Sequence, residues 1–283
     1  MPKIKVFTDS PADIPIETVK ELDIGFFPVK ISLGNETYRD YIDIQGAQFY
    51  EKLAATEDMP TTAQITVPEF VEAFQGALDE GFETLLCFTI SQAASGTYQN
   101  ACLAKKMVEE ERGAVDITVL AGSLSYIYGG IVVKAASMAR EGASKEEILK
   151  MVSYYEENRY ALFVVDTLKY LKKGGRINAT VAVIGELLNI KPLLTVKDGL
   201  VSVVDKVRGS KRVNARIVEL LRENGIAEAS EVYIFDGAAG GKVQEMRETL
   251  KHNFGIENAR VAQVGPVIGS HAGPGVVGVL FFK

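Results

Sequence analysis

Short apolar runs alternate with amphipathic stretches almost from end to end of the chain. Residues 4–7, 84–88, 116–120 and 161–165 are rich in Ile, Leu, Val and Phe, the pattern of buried strands. Between them, 45–55, 67–80, 93–111, 126–140 and 145–157 carry the apolar spacing of helices that face a core. Thr66 followed by Pro68 marks a helix start, a hydroxyl N-cap before a proline whose fixed φ suits the first turn. This alternation predicts an α/β architecture with a largely parallel sheet.

Further along, the pattern changes. Segments 191–196 and 201–208 flank Lys197-Asp198-Gly199, and Asp-Gly is a strong hairpin signal. A helix over 210–223, a strand over 231–235, a helix over 241–251 and strands over 260–264 and 276–282 follow. Hairpins mixed with helices predict a second α/β domain whose sheet contains antiparallel pairs. The boundary is expected near Asp166, giving domains 1–165 and 166–283.

The 283 residues are 47% hydrophobic and 24% charged, which excludes disorder, collagen-like repeats and coiled coil as whole-chain descriptions. A net charge of -6 argues against a general nucleic-acid surface. Cys87 and Cys102 are too few for a disulfide framework and fit a reducing compartment. The first ten residues contain no apolar signal core, and the uncharged run 261–282 is broken by Pro266, Pro274 and five glycines. A cytoplasmic protein without a transmembrane segment is expected.

Several chemistries fail on spacing. Gly273-Pro274-Gly275-Val276-Val277-Gly278 matches a dinucleotide fingerprint literally, but only five residues follow and they read as strand. Gly237-Ala238-Ala239-Gly240-Gly241-Lys242 resembles a Walker loop with the wrong glycine–lysine spacing and Val243 in place of the hydroxyl. Gly122-Ser123-Leu124-Ser125-Tyr126 fails as a nucleophile elbow at its last position. Two histidines cannot build a His-rich metal site, and His252 suits a helix C-terminus before Gly255. No catalytic or metal-ligating set emerges.

Small polar loops at strand ends remain. Thr8-Asp9-Ser10 follows the first strand, Thr61-Thr62-Ala63-Gln64 precedes a helix, and Ser91 to Thr97 follows the strand at 84–88. Ligands of open α/β sheets sit beyond the carboxyl ends of strands, where helix-start amides and hydroxyls suit a carboxylate or phosphate. Each hydroxyl equally suits the capping of its own helix. His271 stands among glycines between two apolar strands, where a loop imidazole titrating near neutrality can donate to an anionic oxygen.

These same residues carry a resemblance. Thr8-Asp9-Ser10-Pro11-Ala12-Asp13-Ile14-Pro15, Thr62-Ala63-Gln64, Ile90-Ser91 with Ser95-Gly96-Thr97-Tyr98, Leu168-Lys169-Tyr170-Leu171-Lys172-Lys173-Gly174-Gly175-Arg176-Ile177 and Gly269-Ser270-His271-Ala272-Gly273-Pro274-Gly275 occur in one order. Together they resemble the DegV family over essentially the whole chain. Pro11 stands where threonine is common and Ala63 where serine is common, so no hydroxyl contact carries over to position 63. The resemblance implies a bacterial, two-domain α/β protein that binds one long-chain fatty acid such as palmitate. It further implies a non-catalytic subunit, without cofactor, that presents the acid's carboxylate to a separate ATP-dependent kinase subunit and touches membranes at most transiently. Thr62 and Ser95 match the head-group contacts with His271 nearby, Arg176 and Arg208 match basic positions that could face the kinase or its phosphates, and the Gly96 and Thr97 amides could join Thr62, Ser95 and His271 in satisfying the carboxylate.

A sixteen-carbon tail offers about 0.8 kcal/mol per buried CH₂, roughly 11 kcal/mol gross. The carboxylate is the costly part, because an ion without partners in a dry site is strongly disfavoured. For the tail, an apolar helix over 179–189 with 190–194, 201–204 and 276–282 supplies the expected wall of a tunnel in the second domain. Two other readings stand beside this one. One is a stand-alone enzyme acting on a small hydroxylated or phosphorylated substrate with Asp9 or His271 as base; the other is a protein-interaction module without ligand.

Overall fold

Ile, Val and Phe near the N-terminus commit it to a strand, β1 (Ile4–Asp9), because β-branched and aromatic side chains pack well on a pleated surface. The computed structural model describes residues 3–178, 190–209 and 212–283. The helix expected over 179–189 and the first two residues of that expected over 210–223 lie outside the described residues. The chain forms two units, Met1–Ile44 with Thr62–Glu157, and Gln45–Thr61 with Asn158–Lys283.

In the first unit, a turn of 3₁₀ helix at Ser10–Ala12 and α1 (Ile16–Glu21) follow β1 and lead to β2 (Gly25–Phe27). A small sheet is then laid down by β3 (Lys30–Leu33) and β4 (Glu36–Arg39). Helix α2 (Gly46–Ala54) belongs to the second unit, and the chain returns through β5 (Thr61–Ala63), which joins β3 and β4 in the order β4-β3-β5. Helix α3 (Val67–Asp79), β6 (Thr84–Thr89), α4 (Thr97–Arg112), β7 (Asp116–Ala121), α5 (Tyr126–Arg140) and α6 (Lys145–Glu157) complete the unit. Its main sheet is wholly parallel, in the order β2-β1-β6-β7. Every residue of β6 is buried, as a strand covered on both faces must be.

The start of α3 follows its sequence signal. Thr66 is the N-cap, its N–H and hydroxyl both donate to the Glu69 carboxylate at 2.8 and 2.6 Å, and Pro68 sits in the first turn. The helix then delivers Phe70 and Phe74 to the sheet. Phe27 and Phe70 lie 4.4 Å apart between ring centroids, and Phe7 and Phe74 5.6 Å, within the range where aromatic pairs add to simple burial. Helix α4 starts at Thr97 rather than in the expected stretch from residue 93. Residues 91–95 form a tight turn instead, with the Ser91 carbonyl accepting the N–H groups of Ala94 and Ser95 at 3.0 and 3.1 Å.

The second unit contains β8 (Arg159–Val164), α7 (Lys169–Gly174), β9 (Ile190–Lys197), β10 (Leu200–Arg208) and α8 (Val213–Glu223). It continues with β11 (Glu231–Gly237), α9 (Lys242–Phe254), β12 (Arg260–Gln263), α10 (Pro266–Ala272) and β13 (Val276–Phe282). The sheet is mixed, in the order β10-β9-β8-β13-β11-β12, with only β11 and β12 parallel. The Asp-Gly hairpin forms as its sequence dictates: Asp198 and Gly199 both adopt positive φ, 52° and 76°, and connect β9 to β10. Leu162, Leu193, Ile217, Leu221, Ile234, Leu250, Val279 and Phe281 form the core between this sheet and helices α8 and α9.

The division of the chain differs from the one at residue 165 in two ways. Strand β8 belongs to the second sheet, because its ladder partners are β13 and β9. Helix α2 joins the second unit because the Tyr50 hydroxyl donates to the Val264 carbonyl at 3.1 Å and Phe49 and Tyr50 pack on Gly269. Partners some two hundred residues away leave no local trace. Among the described residues, no helix is long and apolar enough to cross a membrane.

Glycine is required where β8 and β13 pair. A methyl group on Gly278 would overlap the Leu162 carbonyl and the Phe163 side chain, whereas one on Gly76 of α3 would meet nothing within 4 Å. Gly278→Ala is therefore expected to lower stability by about 1–3 kcal/mol, and Gly76→Ala to raise it by roughly 0.5–1 kcal/mol. Thermal unfolding of both variants beside the wild type checks the opposite signs.

Candidate functional site

Strands β1 and β6 run parallel with Thr8 opposite Phe88, so both release their chains at the same edge of the sheet. From β6 the chain enters the turn 90–96. The Ser91 N–H donates to the Ser123 carbonyl at 3.0 Å and the Ser91 hydroxyl accepts the Ala93 N–H at 3.1 Å. Ser95 Oγ accepts the Thr97 N–H at 3.2 Å and lies 2.9 Å from Thr97 Oγ1, which also accepts the Ile65 N–H at 3.4 Å. Asn100 donates to the Ile65 carbonyl at 2.8 Å. Any Cβ on Gly96 would strike the Gln64 side chain. The segment that carries Thr62 is thereby fastened onto the turn that carries Ser95 and Gly96.

Around this turn the residues divide by burial. Thr97 is fully buried, its N–H is taken by Ser95 and its hydroxyl by Ser95 and Ile65. It braces the turn. Ser95, Gly96 and Thr62 are half-buried.

Asp9 ends β1 and is fully buried. Its two carboxylate oxygens accept the Ile90 N–H at 3.1 and 2.9 Å, and Oδ1 accepts the Tyr128 hydroxyl at 2.6 Å. Burial pushes its pKa up to about 6, against these hydrogen bonds, which favour the ionised form. An acid with no exposed surface and both oxygens occupied does not meet a small substrate, so the expectation of Asp9 as a general base gives way to an internal tie. Asp40, equally buried, is pushed up to about 7 by desolvation, opposed by Ser10 and the Tyr41 backbone.

In the second unit His271 lies on α10, not in a loop, because Pro266 starts a helix that runs to Ala272. A Cβ on Gly174 would overlap the imidazole, so only a glycine lets the end of α7 close on the ring. Arg176 turns back to donate to the Gly174 carbonyl at 2.5 Å. Burial, with the Arg176 charge as a second cause, lowers the His271 pKa to about 4. The expected titration near neutrality is corrected accordingly: at pH 7 this imidazole is neutral, offering one donor and one acceptor. His271 and Arg176 are thus brought together.

Arg208 is not part of that cluster. The Arg176 carbonyl accepts the Val201 N–H at 3.1 Å near the start of β10, while Arg208 ends the same strand opposite Ile190. Seven residues at ~3.3 Å each separate them by about 23 Å. Of the expected tail wall, Leu193, Leu194, Val201 and all of β13 are buried, but Val204 is turned outward by the irregularity between Val203 and Asp205. The segment Gly237 to Lys242 is not an open phosphate loop, since Asp236 accepts the Ala239 N–H at 3.0 Å and Lys242 pairs with Asp166 at 2.5 Å. Tyr128 and Asn100 escape sequence reading: their spacing is ordinary helix, and only tertiary folding brings them to the turn.

A sequence model of the family described as "Uncharacterised protein, DegV family" matches residues 3–283. The chain is 37% identical to a DegV domain-containing protein of Caldanaerobacter subterraneus over 282 residues, 99% of each chain. It is also similar to a solved fatty-acid-binding DegV family protein of Thermus thermophilus, with 31% identity, full coverage of both chains and a TM-score of 0.88. A stearic-acid-binding protein of Eubacterium ventriosum shares 25% identity and a TM-score of 0.83 over 100% of this chain and 98% of its own.

The buried acids set a pH dependence with a definite sign. Asp40 is held near pKa 7 in the folded chain, so between about pH 4 and 7 the unfolded chain releases its proton first and stability is lost as pH rises. His271, lowered to about 4, acts oppositely and costs stability as pH falls from about 6.5. Asp40→Asn removes the first contribution, so its stability advantage over wild type should grow by about 1–3 kcal/mol from pH 5 to pH 8. Denaturant titrations at the two pH values read that difference, and an equal offset at both would contradict it.

Proposed function

Because the chain belongs to the DegV family, we propose that it binds one long-chain fatty acid and presents the carboxylate to a separate ATP-dependent kinase subunit. What supports this reading is that Ile65 bonds to Thr97 and Asn100 and Gln64 lies against Gly96, which ties the segment following Thr62 to the turn of Ser95 and Gly96. Hydroxyl and amide donors suit an ionised carboxylate, since hydrogen bonds to a charged acceptor are roughly twice as strong as neutral ones. Thr97, already engaged, acts by holding Ser95 in place. The fatty-acid-binding relatives from Thermus thermophilus and Eubacterium ventriosum support the ligand class.

The remaining assignments follow the chemistry of each group. The buried residues of β9 and β13 in the second unit are proposed to contribute to the tail's apolar surroundings. Neutral His271 supplies a hydrogen bond to acid or acyl-phosphate oxygens without becoming a competing cation. Arg176, beside it, is proposed to meet the phosphoryl charge during transfer. Arg208, at the far end of β10, is proposed to face the kinase subunit rather than the head group.

Native mass spectrometry of the purified protein should show an added mass of one fatty acid, or its uptake on addition. An unliganded mass with no uptake would overturn the reading. Ser95→Ala and Thr62→Ala are each expected to weaken acyl binding by roughly 1–3 kcal/mol, the scale of one unsatisfied partner. Arg176→Ala should retain the acid but slow phosphate transfer by the kinase subunit, and equal rates would remove Arg176 from that role.

A further inference from the structure

Behind the turn that carries Ser95 lies a set of buried groups that the proposed head-group contacts do not use. Asp9, Asp13 and Asp40 are each at most 2% exposed, and Thr8, Ser10, Ser125 and Tyr128 are buried with them. The Ser125 hydroxyl donates to Asp13 Oδ2 at 2.5 Å, and Ser10 Oγ accepts the Val29 N–H at 3.1 Å. Among the described residues, no three acidic, His or Cys groups are arranged to hold a metal ion. The backbone is strained here. Asp13, Tyr41 and Ser125 adopt φ of 53°, 61° and 55°, a region side-chain-bearing residues rarely enter. Strain of this kind persists only where surrounding structure enforces it.

We propose, resting on the fatty-acid reading above, that Asp9 is a positioning residue for the head-group turn. Its carboxylate clamps the Ile90 amide from which the turn departs, and the turn's hold on the ligand weakens when Asp9 takes up a proton. The geometry is direct. Ile90 is the last residue before Ser91, whose carbonyl and hydroxyl order the amides of residues 93–95 and so set the place of Ser95. Both Asp9 oxygens point at that single amide, and Tyr128 fixes one of them from α5. An ionised carboxylate accepts such bonds about twice as strongly as a neutral acid, and a protonated Asp9 also gives up one of its two oxygens as an acceptor.

The surroundings of Asp9 make its proton available near neutral pH. From β6 it faces Cys87, whose thiol is pushed up by burial and then by the Asp9 charge. From α5 it faces Tyr128, pushed up by burial and by the charges of Asp9, Asp13 and Asp40. All of these are acids or neutral groups, and desolvation is the largest influence on Asp9 itself, holding it near 6. The Tyr128 hydrogen bond works the other way, favouring the ionised form.

The test is the ratio of acyl-binding constants of Asp9→Asn and wild type, measured with one fatty acid from pH 5 to pH 8. Ionisation of the ligand and of Asp40 affects both proteins and cancels in the ratio. Expected is about tenfold weaker binding by the variant at pH 8, falling toward equality at pH 5, where wild-type Asp9 is itself protonated. Tyr128→Phe removes a bond that favours ionised Asp9, so the wild-type-like loss of affinity should move to higher pH. A purely structural role for either residue would give a ratio constant with pH, and that result overturns the proposal. Amide hydrogen exchange over residues 90–96 in ligand-free protein supplies an arm independent of lipid. Protection, corrected for intrinsic exchange, should fall in Asp9→Asn at pH 8 and in wild type as pH drops through 6. Unchanged protection there overturns the clamp even if fatty acid binds, whereas failure of wild type to bind any fatty acid strikes only the reading of the ligand.

Discussion

The parallel pairing of β1 with β6 is the constraint on which the first unit's chemistry depends. Parallel strands in adjacent positions end at one edge, so the Thr8-Asp9-Ser10 end of β1 and the turn after β6 become neighbours without any further design. Asp9 then meets the amide of the residue that follows β6, the Ile90 N–H. A buried amide must find an acceptor, and a buried carboxylate must find donors. Each solves the other's problem. The cost of burying the acid remains visible in its raised pKa.

Polar satisfaction around this edge proceeds by hydroxyls and amides rather than by ion pairs. Ser91 and Ser95 order the turn internally, and Thr97 and Asn100 tie it to Ile65, with the Gln64 side chain lying against Gly96. In the second unit the same economy holds around His271, where Gly174 removes the side chain that would block the ring. Desolvation, followed by the charge of Arg176, leaves the imidazole neutral.

Comparison of elements shows which signals are local. Thr66 with Pro68, Asp198-Gly199 and His252 before Gly255 each state a backbone requirement within a few residues, and each is met at its position. The hydroxyls of Ser95 and Thr97 were legible as polar groups at a strand end, but their division into a half-buried group and a fully buried brace was not. That division depends on Ile65 and Asn100, which reach the turn only through the packing of α3 and α4. Likewise, Gly269 to Gly275 suggests a flexible loop by composition, yet Pro266 and the packing of Phe49 and Tyr50 on Gly269 accompany a helix there.

Periodicity, turn residues and composition by themselves determined the α/β class, the parallel first sheet, the mixed second sheet and the polar strand ends, because these depend on side chains a few positions apart. Tertiary structure alone decided that α2 joins the second unit, that β8 pairs with β13, that Arg208 stands far from Arg176, and that Asp9 faces inward to Ile90 and Tyr128. Those outcomes rest on partners up to two hundred residues distant, whose approach is fixed by how whole layers pack and not by any local pattern.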